Sequence, residues 1–263
     1  MPLLRHRSDL GPLAYTLLVL AVQLVLFLRV ENLWATLLLV VLFQPVQAVA
    51  IACNHYQHHV PVFRRRLANR LYEVVLFLQT GMPPYLITLH HNLGHHPHYL
   101  EPENDTLRWK RADGSTRSLL ECLLRNCAGH LTWTMAIGRR YPKVYRRFKL
   151  MAAVSAMPLL ALAWIDLAKT LIVFALPMVL AILNVARLGY EQHAGLGLDD
   201  HLTASRNIES RLYNLLTFNS GYHTAHHLRP GLHWSRLPQL HDELVDRIPA
   251  ELRRGVRSIP RAT

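Results

Sequence analysis

Nine histidines fall into three spaced clusters and one outlier: His55-x3-His59, His91-x3-His95-His96 and His223-x2-His226-His227, with His193 apart. All sit just beyond apolar stretches long enough to cross a bilayer. Imidazole binds zinc, copper, nickel and iron, so histidine count alone names no metal. Spacing narrows the choice. Helical residues four apart share a face, so the spacing predicts that His55 with His59, His91 with His95, and His223 with His227 each grip one ion. The second member of each His-His doublet points about a hundred degrees away, toward a neighbouring ion or a second helix. Four ligands close a mononuclear zinc site, and nine candidates are too many for one such ion. Two metals are the economical reading. With no cysteine and few carboxylates in the clusters, an oxygen-activating pair of irons fits better than an iron–sulfur or calcium site.

The remaining histidines have simpler explanations. His6, His130, His201 and His241 stand alone, as surface or hydrogen-bonded core histidines commonly do. His58, His90, His98 and His233 lie beside the clusters and read equally as orienting donors or bystanders and as ligands. A metal-buffering tract would run consecutively through a polar segment. Here the spacing is regular and the flanks are apolar.

The elements that must position these residues are read from charge. The chain has 263 residues, half of them apolar, and the runs 11–28 and 33–53 contain no Asp, Glu, Lys or Arg. Each is near the length of a span, and four residues separate them, predicting a transmembrane hairpin. A second hairpin is expected over 150–164 and 171–188, turning through Ile165 to Thr170, with Pro177 kinking the last span. Leu71 to Leu89 is apolar but holds Glu73, Gly81 and Pro83-Pro84, which predicts an interfacial or re-entrant segment rather than a fifth span. Arg5 and Arg7 precede the first run as in a secretory signal. The next span follows with no small-residue cleavage site, so a retained anchor is expected. The fold class is thus an all-α integral membrane protein, one domain over 1–263 with a histidine-rich cap.

Arg and Lys crowd 64–70, 108–117, 139–149 and 247–261, whereas each hairpin turn holds one basic residue. The positive-inside tendency therefore puts both termini and the segments 54–149 and 189–263 in the cytoplasm, at the inner membrane in a bacterium. The net charge of +12 is explained by this topology and by anionic headgroups, and no nucleic-acid motif is present. Cys53, Cys122 and Cys127 form no C-x-x-C pair and are expected to be reduced thiols. The tail from Leu237 to Thr263 interleaves arginines with Leu244, Val245, Ile248, Leu252, Val256 and Ile259. That pattern is expected of a helix at an anionic interface, there to recruit an acidic electron donor.

The three boxes, with two spans before the first and two between the second and third, resemble the membrane-bound fatty acid desaturase and hydroxylase superfamily. The strongest stretches are His90-His91-Asn92-Leu93-Gly94-His95-His96 and Asn219 to His227, continuing through Pro230 and His233-Trp234 to Leu237-Pro238. The second box and Glu191-Gln192-His193 resemble alkane ω-hydroxylases. The compact length and third box also resemble fatty acyl desaturases and carotenoid ketolases. The resemblance implies two irons held by His55, His59, His91, His95, His96, His193, His223, His226 and His227, with O2 as co-substrate. The first box departs from the commonest pattern by reading His-Tyr-Gln-His-His, which leaves open whether His58 replaces or joins a neighbour. No His-Pro-Gly-Gly element of a fused cytochrome b5 domain is present, so electrons are expected from a separate ferredoxin, rubredoxin or cytochrome b5 and its reductase.

Metal-bound histidines need acceptors at their outer nitrogens. The nearby candidates are Glu101, Glu103, Asp105, Glu191, Asp199 and Asp200, with the amides of Asn54, Asn92 and Asn219. The spans would supply an apolar slot for a lipid. Desaturation of a fatty acyl chain is the leading expectation. A hydroxylase or ketolase acting on an alkane, acyl lipid or carotenoid is the second. A metal transporter or sensor would carry ligands in the middle of its spans, whereas these histidines lie beyond the ends.

Overall fold

A computed structural model describes residues 2–101, 105, 107–197 and 200–255. The chain is almost wholly helical: α1 (Leu10–Arg29), α2 (Leu33–Gln47), α3 (Ala50–His59), α4 (Arg66–Thr80), a π-helical segment (Thr88–His95), α5 (Leu119–Arg140), α6 (Pro142–Ile165), α7 (Leu167–Thr170), α8 (Leu176–His193), α9 (Arg211–Leu216), α10 (His223–Leu228) and α11 (Leu237–Leu244). Two short strands, β1 (Asn207–Ile208) and β2 (Arg253–Arg254), pair in parallel.

Three helical stretches, Arg7–Arg29, Pro142–Ile165 and Leu167–His193, are long and apolar enough to cross a membrane. The bent pair α2–α3 makes a fourth if its two helices are counted as one span. Their outer faces carry the exposed apolar side chains of Leu18, Leu28, Leu42, Met157, Leu160 and Trp164, as expected where lipid replaces water. Inside, Leu26, Phe27, Val40, Phe77, Val173, Phe174 and Met178 form a core shared by α1, α2, α4 and the start of the last span.

The spans differ from their sequence-based outlines in three ways. The second is not continuous: after Pro45 the backbone tightens into i→i−3 bonds at Val49, Ile51 and Ala52, and α3 leaves α2 at 43°. That bend aims His55 and His59 inward. The second hairpin turns at Asp166 alone, not over 165–170, because its carboxylate accepts the Lys169 N–H at 2.9 Å and restarts a helix at once. The last span opens into a π turn, Leu171–Ala175, ahead of Pro177. Pro177 cannot donate to the Val173 carbonyl four residues back. Buried Gln23 on α1 does so instead, at 3.1 Å.

The apolar stretch after residue 70 forms α4, whose Leu67 and Leu71 are exposed while Tyr72, Leu76 and Phe77 are buried. It ends at Gly81 with φ +69°, where a Cβ would meet Met178 Cβ at 2.7 Å. The chain then turns into the π-helical segment. Helix α5, within the segment 54–149 expected in the cytoplasm, packs against α8 and the π-helical segment.

The C-terminal region is a cap rather than a membrane-surface helix. Leu237, Leu240, Leu244, Ile248 and Leu252 are buried together with Tyr56 and Ala225, so the apolar residues expected to face lipid face the protein. Arg253 pairs with Glu209 at 2.5 Å instead of with headgroups. Val256, Arg257, Ile259 and Arg261 lie outside the described residues.

Candidate metal centre

Four pieces of chain deliver the nine histidines to one place. Helix α3 carries His55 and His59, the π-helical segment leads to His91, His95 and His96, α8 ends on His193, and α10 carries His223, His226 and His227. Helix α10 is short and is pinned from outside. The Thr224 N–H donates to Asn207 Oδ1 at 3.0 Å, and Thr224 Oγ1 accepts from Asn207 Nδ2 at 2.8 Å. Gly221 lets it approach: a Cβ there would lie 2.1 Å from the Ile208 carbonyl oxygen. Asp9 ties the N-terminus to the same cap, accepting from His233 Nε2 at 2.9 Å and Trp234 Nε1 at 3.0 Å.

Among the described residues the rings form two adjoining cages. In one, a ring nitrogen from each of His55, His59, His91 and His226 lies within 4.8 Å of the others. The second brings together His95, His193 and His227 by the same measure. His223 joins it, with Nε2 2.9 Å from His193 Nε2. His96 stands between the two, its Nε2 3.2 Å from His226 Nε2 and its ring 4.5 Å from that of His227. His95, His193, His223 and His226 are buried and the others half-buried.

The pairing of His91 with His95 expected from α-helical spacing is overturned. The π segment has a wider turn, so the residue below His91 is five positions on. The His96 N–H donates to the His91 carbonyl at 2.9 Å, and the His91 and His96 rings are 4.3 Å apart against 5.3 Å for His91 and His95. His95 is thereby turned into the second cage.

The outer nitrogens reveal what the inner ones must do. His95 Nδ1 lies 2.9 Å from Asp105 Oδ1, and His193 Nδ1 lies 2.9 Å from the Ala204 carbonyl oxygen. Both partners are acceptors, which assigns the ring protons to the Nδ1 atoms. In the neutral rings that metal binding requires, the two Nε2 atoms are lone pairs facing each other at 3.3 Å in a buried site. Two acceptors cannot bond to one another. A cation between them resolves the clash, because two nitrogens on one ion at about 2.0–2.1 Å stand about 3.0–3.4 Å apart. The Nε2 atoms of His59, His91 and His227 are likewise buried without a hydrogen-bond partner. Burial, reinforced by neighbouring rings, holds His91, His223, His226 and His227 well below the ordinary imidazole range, so they are neutral ligands in waiting at pH 7. Burial alone would raise the Asp105 carboxyl. His95 and the N–H groups of Leu100 and Leu107 outweigh it and hold Asp105 low.

The other candidate partners bond elsewhere. Asn54 Nδ2 donates to Thr80 Oγ1, Asn92 Nδ2 to the His58 carbonyl, and Asn219 Nδ2 to the Trp234 carbonyl. Glu191 pairs with Arg187, His90 meets Thr134, His58 Nδ1 meets Thr88, and Glu101 meets His98. Asp200 caps its own turn through the Leu202 N–H. Glu103 and Asp199 lie outside the described residues. Sequence reasoning missed the Ala204 carbonyl, which no side-chain pattern announces.

Two cavities meet at the cages. The larger, about 270 Å³, runs from Pro45 and Arg187 past His55, His91 and His193. The smaller, about 100 Å³, is mainly apolar and lies between Met82, Leu86 and Ile182. Ile51, His55, His91, Leu107 and Val185 line both.

A family model described as Fatty acid desaturase matches residues 32–258. The chain belongs to this family. No curated protein is similar enough to be matched with it. The family makes the chain a membrane oxidoreductase of lipids, and its paired cages are histidine clusters of the kind that hold metal. The matched stretch contains all four histidine-bearing pieces.

Proposed function

We propose that the chain is a diiron lipid oxidase that desaturates a fatty acyl chain. His55, His59, His91 and His226 hold one iron, His95, His193, His223 and His227 the other, and His96 stands between them. The observation that carries this reading is the pair of lone-pair nitrogens on His95 and His193, each locked in its tautomer from behind. Iron at this position supplies oxygen activation and the power to remove hydrogen from an unactivated carbon.

The chain's own residues do the rest. Asp105 and the Ala204 carbonyl keep the ring protons on the outer nitrogens, so the inner ones stay available. Ile51, Leu107 and Val185 border both cavities beside His55 and His91, and they exclude water from a hydrocarbon threaded there. Because a cavity continues on each side of that point, an interior segment of the chain, not its end, lies beside the cages. This supports mid-chain desaturation over terminal hydroxylation. The basic residues crowded into segments 54–149 and 189–263 support a site on the cytoplasmic face, within reach of a soluble electron donor.

Mass-spectrometric profiling of acyl lipids in cells with and without the gene tests the proposal. Double bonds at an interior position should appear with the wild type and not with His95→Ala. Unchanged acyl lipids, or only terminally oxidised hydrocarbons, would overturn it.

A further inference from the structure

The larger cavity has one cationic corner. Arg187 lines it with Asn184 and Gln192, while the neutral Tyr213, Thr217 and Ser220 and the apolar Pro45, Ala48 and Val49 line it too. Histidines aside, Arg187 is the only described residue lining either cavity that carries a full charge at neutral pH. Its side chain is 44% exposed, and its guanidinium is held by same-helix neighbours, Asn184 Oδ1 at 2.9 Å and Glu191 Oε1 at 2.5 Å. Exposed pairs of this kind contribute little to stability. Releasing Arg187 to a ligand is therefore cheap.

Depth gives this corner its meaning. The last spanning stretch, Leu167–His193, has 27 residues, about 40 Å at 1.5 Å per residue against a hydrocarbon layer of about 30 Å. Counted from the Asp166 turn, the layer ends near Arg187, which stands at headgroup depth. His193 lies about 9 Å further along the axis. A lipid with its head at Arg187 would have the larger cavity before it and the smaller one beyond His55 and His91, which line both.

Resting on the proposed lipid oxidation, we infer that Arg187 selects the substrate by gripping an anionic head group, a carboxylate or a phosphate, at the mouth of the cavity. A guanidinium offers such a group two parallel N–H donors, and an alcohol or alkane cannot use them. Glu191 is then an internal competitor that the substrate displaces. The substrate class is an ionised single-chain amphiphile, and the head-to-site distance sets oxidation several bonds from the head.

Equilibrium binding of radiolabelled dodecanoate, dodecyl phosphate and dodecanol to the purified, iron-loaded protein in a neutral detergent tests this. Wild type should bind at least one anionic ligand about 10–100-fold more tightly than dodecanol, the range of a charged hydrogen bond. Arg187→Gln should abolish that preference with dodecanol affinity and iron content unchanged, and Glu191→Gln should tighten anion binding. Whichever anion shows the larger loss in Arg187→Gln names the head group. Equal affinity for all three ligands in the wild type, or an intact preference in Arg187→Gln, would overturn the inference. The readout is binding, so the two claims fail separately. An Arg187-dependent preference without lipid oxidation would sink only the proposed reaction, and oxidation with unaltered binding in Arg187→Gln only this assignment.

Discussion

At the level of single residues, the centre depends on what stands behind each histidine. Asp105 is fully buried and spends both oxygens, one on His95 and the Leu107 N–H and the other on the Leu100 N–H. Asp105→Asn keeps the shape but can present an amide N–H to His95 Nδ1, favouring the tautomer that puts the proton on the inner nitrogen. Metal affinity of the second cage should fall about 10–100-fold, leaving protein with close to one iron by elemental analysis while the fold, read by circular dichroism, persists. Undiminished iron content would show that the tautomer lock is dispensable. Residue types and approximate positions of this site were legible in the sequence, Asp105 among them. Partners were less so: Asn54, Asn92 and Asn219 hold backbone or hydroxyl groups instead of ligands, and the Ala204 acceptor is main chain.

At the level of elements, charge-free runs announced the spans because lipid tolerates little else, but irregular backbone inside and between them left a fainter trace. The π turn at Thr88–His95 changes which histidine sits under which, and α-helical arithmetic cannot foresee it. Helix α5 did carry a readable start, Ser118 three residues before Glu121 with its hydroxyl accepting the Glu121 N–H. Pro177 was visible as a kink, yet the compensating donor on α1 was not. Gln23→Leu removes that donor from the Val173 carbonyl. A destabilisation of about 1–3 kcal/mol is expected, seen as a lower thermal midpoint in detergent. An unshifted midpoint would mean that the π turn satisfies Val173 by itself.

At the level of the whole molecule, two bonds to Asp9 from the cap join residues more than 200 apart in the chain, and β2 seated on β1 fastens the C-terminal segment to the same cap. The tail's buried leucines explain why its basic residues were misleading: interleaved charge and apolar residues suit a protein-facing amphipathic segment as well as a lipid-facing one. The central claim, that one fold holds two metal ions in adjoining histidine cages, is a statement of stoichiometry. Metal analysis of the purified protein, with Mössbauer spectroscopy on material grown with 57Fe, tests it most directly. The account predicts about two irons per chain in coupled, nitrogen-rich sites. One tightly bound zinc, or a single isolated iron, would contradict it.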